Sequence, residues 1–359
     1  MGIDVNRYNP SEFTRRWTRR CISIPLVLFA CAFVLVTLPL TIPFAAVRDL
    51  IVRSRWAVVR CLLFLFLYLW CESVGVLACF IIWLLSVRWL GIGRTTFIEA
   101  NYALQRWWAR TLYQGALRIF QINVSIDAPD EVYEGPFILF VRHASLPDVI
   151  LPSALFIIPH AMRIRHIMKS ELLWDPCLDV VGHRVPNCFV QRGSGECARE
   201  IEKIKVLMEN LSHRDGVMIY PEGTRFTPQK LQQALQRLIS KDDPDLLKWA
   251  SDLRHVLPPR LGGSLALLEA NQGAAAVFCT HVGFESVGKA SNLLSGSLIG
   301  STIRVHLWKI PFEEIPADQE KRIDWLYSQW TMVDEWIESH TQGKVAMNKS
   351  VNHYQSSRG

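Results

Sequence analysis

Two long apolar runs near the N-terminus constrain the fold of this chain more than any other feature. They cover residues 21–47 and 61–87 and are each 27 residues long. The first has no charged residue or histidine, and the second has only Glu72, which is either functional, capped by an arginine or protonated. About 20 apolar residues suffice for a helix to cross a bilayer. The runs therefore predict two membrane-embedded helices, and their length and pairing argue against a cleaved signal peptide.

The positive charge of the chain is confined to the same N-terminal third. Residues 1–120 contain 14 Arg, no Lys and five acidic residues, which gives +9. Residues 121–359 contain 25 basic and 28 acidic residues, which gives −3, and the two values sum to the net charge of +6. The arginines favour contact with anionic lipid headgroups. The net acidic remainder disfavours a nucleic-acid partner.

The sequence leaves two topologies open for the hairpin. Arginines flank both of its outer ends, and the positive-inside bias would place those ends in the cytoplasm. The connecting loop is itself rich in arginine and is costly to translocate, since it contains Arg48, Arg53, Arg55 and Arg60. The alternative is a hairpin that enters one leaflet and returns, with kinks at Pro25, Pro39 and Pro43.

Beyond residue 120, strand patterns alternate with helical patterns. Strands are predicted at 137–142, 165–169, 187–191, 216–220, 275–281 and 302–310. Helices are predicted at 148–157, 196–212, 229–240, 263–271 and 318–340. The alternation predicts an α/β fold, with a mostly parallel sheet and flanking helices behind the membrane hairpin. The predicted division is a membrane-embedded helical hairpin at 1–90, an interfacial helical linker at 91–121, an α/β domain at 122–340 and a disordered tail at 341–359.

The nine cysteines give no sign of a metal site or of a disulfide framework. Their number is odd, five of them lie in the apolar runs, and no pair has a metal-ligand spacing with another Cys or His. They are interpreted as small apolar residues in a reducing compartment.

The stretch "LFVRHASLPDVILP" places His143 five residues before Asp148, directly after a predicted strand. Open α/β sheets bind their ligands at the carboxyl ends of strands. An imidazole suits the removal of a proton from a hydroxyl near neutral pH, and a carboxylate on its other nitrogen fixes the tautomer. Ser145 lies between the two residues but has no G-x-S-x-G elbow around it, which disfavours a covalent acyl-enzyme.

Three further stretches place polar residues after predicted strands or before a helix. They are "KSELLWDPCLDVVGHRVPNCFVQRG", with Lys169 and Arg192; "YPEGTRFTP", with residues 222–225; and "VLPPRLGG", with Arg260. Taken singly, each is typical of a solvated turn or loop. Their order along the chain, behind a membrane hairpin, carries more information than any one of them.

Together these motifs resemble the glycerolipid acyltransferases typified by lysophosphatidic acid acyltransferase, a PlsC-like family with an HX4D motif. The resemblance covers roughly residues 60–310. The residues that carry it are His143 and Asp148 in the first motif, Lys169, Leu173, Pro176, Gly182, Phe189 and Arg192 in the second, and Glu222, Gly223, Thr224 and Arg225 in the third. In one departure, Cys279-Thr280-His281 occupies a strand in which many members have a proline.

The resemblance implies an O-acyltransferase with His143 as general base and Asp148 as its partner. It implies a phosphate contact by Arg225, with backbone or hydroxyl donors from Gly223 and Thr224. Glu222 would orient Arg225 or bind glycerol hydroxyls. Lys169, Arg192 and Arg260 are second-rank phosphate ligands.

The implied reaction moves a fatty acyl group from acyl-CoA or acyl carrier protein to the sn-2 hydroxyl of 1-acylglycerol 3-phosphate, with no cofactor and no metal. The implied location is a bacterial inner membrane or the endoplasmic reticulum, with the catalytic domain facing the cytoplasm. Partners are the lysophospholipid, the acyl thioester and a membrane with anionic lipids, and the oligomeric state is left open.

Three other functions are compatible with these residues. The runner-up is reacylation of a lysophospholipid such as lysophosphatidylinositol or lysocardiolipin. A membrane-anchored lipid or thioester hydrolase would use water in place of the glycerol hydroxyl. A non-catalytic lipid-binding protein is disfavoured, because a lapsed enzyme need not retain His143, Asp148 and the 222–225 turn together.

Overall fold

A computed structural model describes residues 10–86, 93–145, 147–191, 197–240, 244–285 and 290–356. Its helices are α1 (Pro10–Val52), α2 (Ala57–Leu84), α3 (Arg94–Phe120), α4 (Ile158–His160), α5 (Pro176–Gly182), α6 (Cys197–Val206), α7 (Pro228–Ser240), α8 (Pro244–Ser251), α9 (Leu261–Glu269), α10 (Ala290–Leu294) and α11 (Gln319–Ser356). Its strands are β1 (Asn123–Asp127), β2 (Phe137–Val141), β3 (Arg163–Lys169), β4 (Cys188–Val190), β5 (Asp215–Ile219), β6 (Ala275–Val282) and β7 (Thr302–Ile310).

The seven strands form one sheet in the order β1-β7-β6-β2-β5-β3-β4. Every neighbouring pair is parallel except β6 and β7. The predicted α/β fold with a mostly parallel sheet is therefore confirmed. The sequence patterns missed β1, a five-residue edge strand whose side chains are mostly exposed and so lack a strong apolar signal.

The central strands are buried on both faces. All residues of β2, β5 and β6 are buried, which is why they read as apolar runs in the sequence. Phe137, Leu139 and Val141 of β2 pack on the face that also receives Ala57 of α2 and Phe120 of α3. Ile138 and Phe140 point to the opposite face, which is covered by α6, α9 and α11.

The two apolar runs form α1 and α2, and both are long and apolar enough to cross a membrane. Helix α1 continues through its three prolines. At 1.5 Å per residue its 43 residues extend for about 64 Å. Its outward side carries large exposed apolar residues along most of its length, including Phe29, Phe33, Val36, Leu40 and Phe44.

Helix α2 packs directly on the α/β domain through a buried carboxylate. Glu72 Oε1 accepts a hydrogen bond of 2.7 Å from the Trp108 indole of α3, and its Oε2 accepts one of 3.0 Å from the Cys177 backbone N–H of α5. A Cβ on Gly75 would lie 2.4 Å from Cys177 Sγ, so glycine permits this close approach. Glu72 thus joins three helices, through an indole and a backbone N–H and not through the arginine that the sequence suggested.

Both ends of helix α1 contact the α/β domain. Near its start, Arg19 Nη2 and Arg20 Nε lie 2.8 and 3.1 Å from the carboxylate oxygens of Asp179 in α5. Burial raises the pKa of Asp179, but hydrogen bonds from His183 and the two arginines outweigh it and hold the value at about 2. At the turn between α1 and α2, Arg55 Nη1 donates to the carbonyl of Ile299, 2.9 Å away. The start of α1 and the turn after it are therefore both held against the α/β domain.

Two predicted helix boundaries differ from those observed. The pattern at 196–212 ends as a helix at Val206, because the next residues form tighter turns and Asn210 has a φ of 52°. Helix α11 continues past residue 340 to Ser356, with no proline to interrupt it, and the last three residues of the tail predicted at 341–359 lie outside the described residues. The four-part division of the chain stays a prediction.

Candidate active site

The sheet topology gathers most of the predicted site residues at one edge. Strands β6, β2, β5, β3 and β4 run parallel, so their carboxyl ends share that edge. His143 follows β2, residues 222–225 follow β5, and Lys169 ends β3. This edge is where open α/β sheets hold their ligands.

His143 and Asp148 form a hydrogen-bonded pair. His143 Nδ1 lies 3.1 Å from Asp148 Oδ1. Because a carboxylate only accepts hydrogen bonds, Nδ1 carries the hydrogen of the neutral ring. The other ring nitrogen, Nε2, is left with its lone pair for a substrate proton. The His143 side chain keeps 15% of its surface exposed, whereas that of Asp148 has none.

The turn between the two residues holds the carboxylate in place. Asp148 lies in a 3-10 turn at Pro147–Ile150, and its Oδ2 accepts hydrogen bonds of 2.6 and 2.7 Å from the backbone N–H groups of Ala144 and Ser145. These bonds use the second oxygen and leave Oδ1 for the imidazole. The five-residue spacing works because the chain folds back on its own aspartate.

The Glu222 side chain connects the 222–225 turn to the catalytic pair. Its Oε1 accepts a hydrogen bond of 2.7 Å from the His143 backbone N–H, and its Oε2 accepts one of 2.9 Å from the Leu257 N–H. The Phe226 N–H in turn donates to the His143 carbonyl at 2.8 Å. Glu222 is 1% exposed. Its two oxygens are thus committed to backbone groups rather than to Arg225 or an open surface.

Burial raises the pKa of Glu222 from 4.5 to about 8, against the lowering effect of its two backbone hydrogen bonds. For an acid with a raised folded-state pKa, stability is greatest below pH 4.5 and falls as the pH rises to 8. We expect Glu222→Gln to remove this pH-dependent part of the free energy of unfolding. It amounts to a few kcal/mol at about 1.4 kcal/mol per pKa unit. Denaturant unfolding in detergent between pH 5 and 8 measures it. Parallel pH profiles for the two proteins would contradict the assignment.

The rest of the turn presents cationic and hydroxyl groups. Gly223 has a φ of 66°, a left-handed conformation that glycine adopts without strain. Lys230 of α7 donates from Nζ to Thr224 Oγ1 at 3.0 Å and to the Arg225 carbonyl at 2.9 Å. The Arg225 guanidinium is half-buried and has no ion-pair or hydrogen-bond partner among the residues described.

The structure ties the remaining predicted phosphate ligands less directly to the His143-Asp148 pair. The Arg260 N–H donates to the Pro221 carbonyl at 2.8 Å, so its loop packs on the turn, but the Arg260 side chain is exposed. Lys169 lies at the end of β3, two strands from β2, and is half-buried. Arg192 lies outside the described residues, so its role stays a prediction.

Three residues around the pair were missed by the motif patterns. Arg142, fully buried next to His143, donates to the His281 carbonyl and to Glu285 Oε1, the latter at 3.0 Å. The Tyr220 ring lies 4.5 Å from the His143 ring, and burial raises its phenol pKa well above the usual range. Lys230 is the third. Only Arg142 had a sequence signal, as a charged residue at the end of an apolar strand.

Over the ranges that the structure covers, no group of three or more His, Cys, Asp or Glu side chains is arranged to hold a metal ion. The eight cysteines described there are all free thiols. The groups that meet at this edge are an imidazole-carboxylate pair and cationic side chains beside it.

Part of the chain matches a known protein family. Residues 122–276 match the family model described as Acyltransferase. That segment begins just before β1 and contains β2 to β5 and the start of β6, together with His143, Asp148 and the 222–225 turn.

Curated relatives of the chain are 1-acyl-sn-glycerol-3-phosphate acyltransferases. The delta form of Bos taurus is 23% identical over 178 residues, which are 49% of this chain and 45% of the relative. The epsilon form of Mus musculus is 23% identical over 212 residues, 56% of each chain. The gamma form of Homo sapiens is 25% identical over 178 residues, 49% of this chain and 45% of the relative. The chain thus spans about half the length of the relatives it matches.

Among solved structures, the chain is similar to the 1-acyl-sn-glycerophosphate acyltransferase PlsC of Thermotoga maritima. The identity is 13% and the TM-score 0.43, over 75% of this chain and 96% of the other. The sequence match shows that residues 122–276, less than half of the chain, are similar to the Acyltransferase family.

Proposed function

We propose that the protein transfers a fatty acyl group from a thioester, acyl-CoA or acyl carrier protein, to the free sn-2 hydroxyl of 1-acylglycerol 3-phosphate. The product is phosphatidic acid. The observation that carries the proposal is the His143-Asp148 pair beside the 222–225 turn, with Nε2 of the imidazole making no hydrogen bond to the residues described. The names of the relatives support the substrate class.

The proposed chemistry needs no covalent intermediate. His143 Nε2 takes the proton of the glycerol hydroxyl as its oxygen attacks the thioester carbonyl. The new C–O bond forms, the C–S bond breaks, and the leaving thiolate takes the proton from the imidazolium. Asp148 stabilises the imidazolium in between, as the carboxylate does in a hydrolase triad.

The 222–225 turn provides the proposed site for the acceptor's phosphate. Arg225 offers a planar guanidinium suited to bidentate contact with phosphate, and it has no partner among the residues described. Lys230 holds the Arg225 carbonyl and the Thr224 hydroxyl from behind. Glu222 fixes the distance between this turn and His143 through the His143 N–H.

We expect Arg225→Ala to raise the KM for lysophosphatidate about 10- to 100-fold with little change in kcat. A hydrogen bond to a charged group contributes about 1.5–3 kcal/mol, and a uniform binding contact acts on KM. Initial rates over a range of acceptor concentrations measure the effect. Arg225→Lys should restore part of it. Arg237→Ala, an exposed arginine on α7, is the matched control and should leave KM unchanged. A pure loss of kcat would contradict the phosphate role.

A panel of lysolipids with purified protein and a labelled acyl donor tests the proposed function. Label in phosphatidic acid is the expected result. Label in phosphatidylinositol, cardiolipin or another diacyl lipid alone would assign the reaction to lysophospholipid reacylation. Label found only as free fatty acid would indicate a hydrolase. No turnover with any acceptor would leave a lipid-binding protein.

For the membrane, we propose that the hairpin enters one leaflet and returns, so that its turn lies on the same side of the bilayer as the α/β domain. Arg55 at the turn and Arg19 at the start both contact the domain, which a loop on the far side of the bilayer could not do. An epitope inserted at Arg53, which is exposed, should be reached by antibody from the same face of sealed vesicles as a C-terminal tag. Access from opposite faces would support the two-pass topology.

A further inference from the structure

A second imidazole lies against the catalytic carboxylate. His281 of β6 is fully buried, and its Nε2 lies 3.3 Å from the Arg142 carbonyl oxygen and 3.7 Å from Asp148 Oδ2. Arg142 directly precedes His143. One ring nitrogen therefore faces both the backbone that carries the proposed base and the carboxylate that orients it.

The hydrogen bond fixes the tautomer of His281. A carbonyl oxygen only accepts, so Nε2 carries the hydrogen. In the neutral ring Nδ1 then has a lone pair, and this atom is buried without a hydrogen-bond partner among the described residues. A buried polar atom without a partner costs stability. An apolar side chain at this buried position would avoid the free-energy cost of burying Nδ1 without a partner. What histidine adds over an apolar side chain is therefore its Nε2–H.

The charges around His281 keep the ring neutral. Asp148, Arg142 and Glu285 are the charged groups that act on it. Burial lowers its pKa to about 4, with Arg142 adding to the effect and Asp148 opposing it. A protonated His281 would compete with His143 for the negative charge of Asp148. A neutral N–H orients the carboxylate without cancelling that charge.

We propose that His281 is a positioning residue for acyl transfer, whose Nε2–H donates to the Arg142 carbonyl and attracts Asp148 Oδ2 at 3.7 Å, so that Oδ1 stays aligned with His143 Nδ1. This inference rests on the proposed function. It gives a role to the strand residue at which the chain departs from the family that the motifs resemble, where Cys279-Thr280-His281 replaces a proline-containing segment. His281 does not touch the reacting atoms in this assignment and acts through Asp148.

Three substitutions of His281 distinguish the effect of losing its hydrogen-bond donor from the effect of losing the volume of its ring. Glutamine places an amide N–H near the position of Nε2, methionine fills similar space without a donor, and asparagine has an amide too short to reach. We expect His281→Met and His281→Asn to lower kcat about 10- to 100-fold, the equivalent of leaving one buried acceptor without its donor. KM for the lysolipid should not change. His281→Gln should retain kcat to within about threefold.

The tautomer of His143, read from imidazole ¹⁵N shifts in detergent-solubilised protein, provides a second readout that does not depend on activity. The Nδ1–H form should dominate in the wild type and in His281→Gln, and mix with the Nε2–H form in the other two variants.

If all three variants match the wild type in kcat and tautomer, or if all three lose kcat and the Nδ1–H tautomer equally, the positioning role is wrong. If the wild type transfers no acyl group to any lysolipid, the proposed function fails, and the tautomer readout still decides the role of His281. If methionine prevents folding, the comparison of asparagine with glutamine decides.

Discussion

His143→Ala is expected to reduce acyl transfer by about 10²–10⁴, the range for loss of a general base. The substitution removes the Nε2 lone pair while the backbone hydrogen bonds of residue 143 to Glu222 and Phe226 remain available. The fold should therefore survive, and kcat should fall with little change in KM. Transfer of labelled acyl groups to lysophosphatidate under single-turnover conditions measures the chemical step.

His213→Ala is the matched control for this prediction. His213 is exposed, and it precedes β5 at the amino end of the strand, at the edge of the sheet opposite to His143. Its loss should leave the rate unchanged. If His143→Ala retained more than a third of the wild-type rate, another group would have to be the base.

Asp148→Asn is the second substitution with a large expected effect. An amide NH2 in place of Oδ1 would donate to Nδ1 of His143 and force the ring hydrogen onto Nε2, which then cannot take a proton from the substrate. The equivalent change in a serine hydrolase triad costs about 10⁴ in kcat. We expect a loss of comparable size here, because the 3.1 Å contact between His143 and Asp148 has the same arrangement.

Stability must be measured alongside, since Asp148 also accepts hydrogen bonds from Ala144 and Ser145. A thermal unfolding midpoint close to that of the wild type, together with the loss of kcat, would assign the effect to chemistry. Asp252→Asn, at an exposed position, serves as the control. A variant that folds normally and transfers acyl groups within threefold of the wild type would show that the carboxylate is not needed.

The sequence predicted the parts of the fold that leave periodic or apolar signals. The strands β2, β5 and β6 are buried on both faces and read as short apolar runs. The strand β1 is mostly exposed and was missed. The pairing of the strands was beyond sequence reasoning, because the antiparallel contact of β6 with β7 depends on tertiary packing rather than on local preference.

The candidate site was predictable to the extent that its residues are close in sequence. His143 and Asp148 meet through a local turn, and Gly223 allows its turn through a positive φ. The position of His281 was visible as a departure from the family that the motifs resemble, but its contact with Asp148 joins residues 133 positions apart and depends on the sheet. The use of Glu222 as a backbone anchor was likewise hidden, because its partner Leu257 lies in a distant loop.

The packing of α2 bears on how this protein can be engineered and purified. Helix α2 contributes Ala57 to the core and uses Glu72 to bind Trp108 and Cys177. A chain shortened to begin near residue 91 would expose that apolar surface to water and leave two donors without their acceptor. Loss of activity in such a chain would report on unfolding as much as on access to lipid. An unrelated membrane anchor could not replace this hairpin, because the hairpin is part of the packed fold. The activity should therefore be measured on the protein with its intact N-terminus, in detergent micelles or nanodiscs.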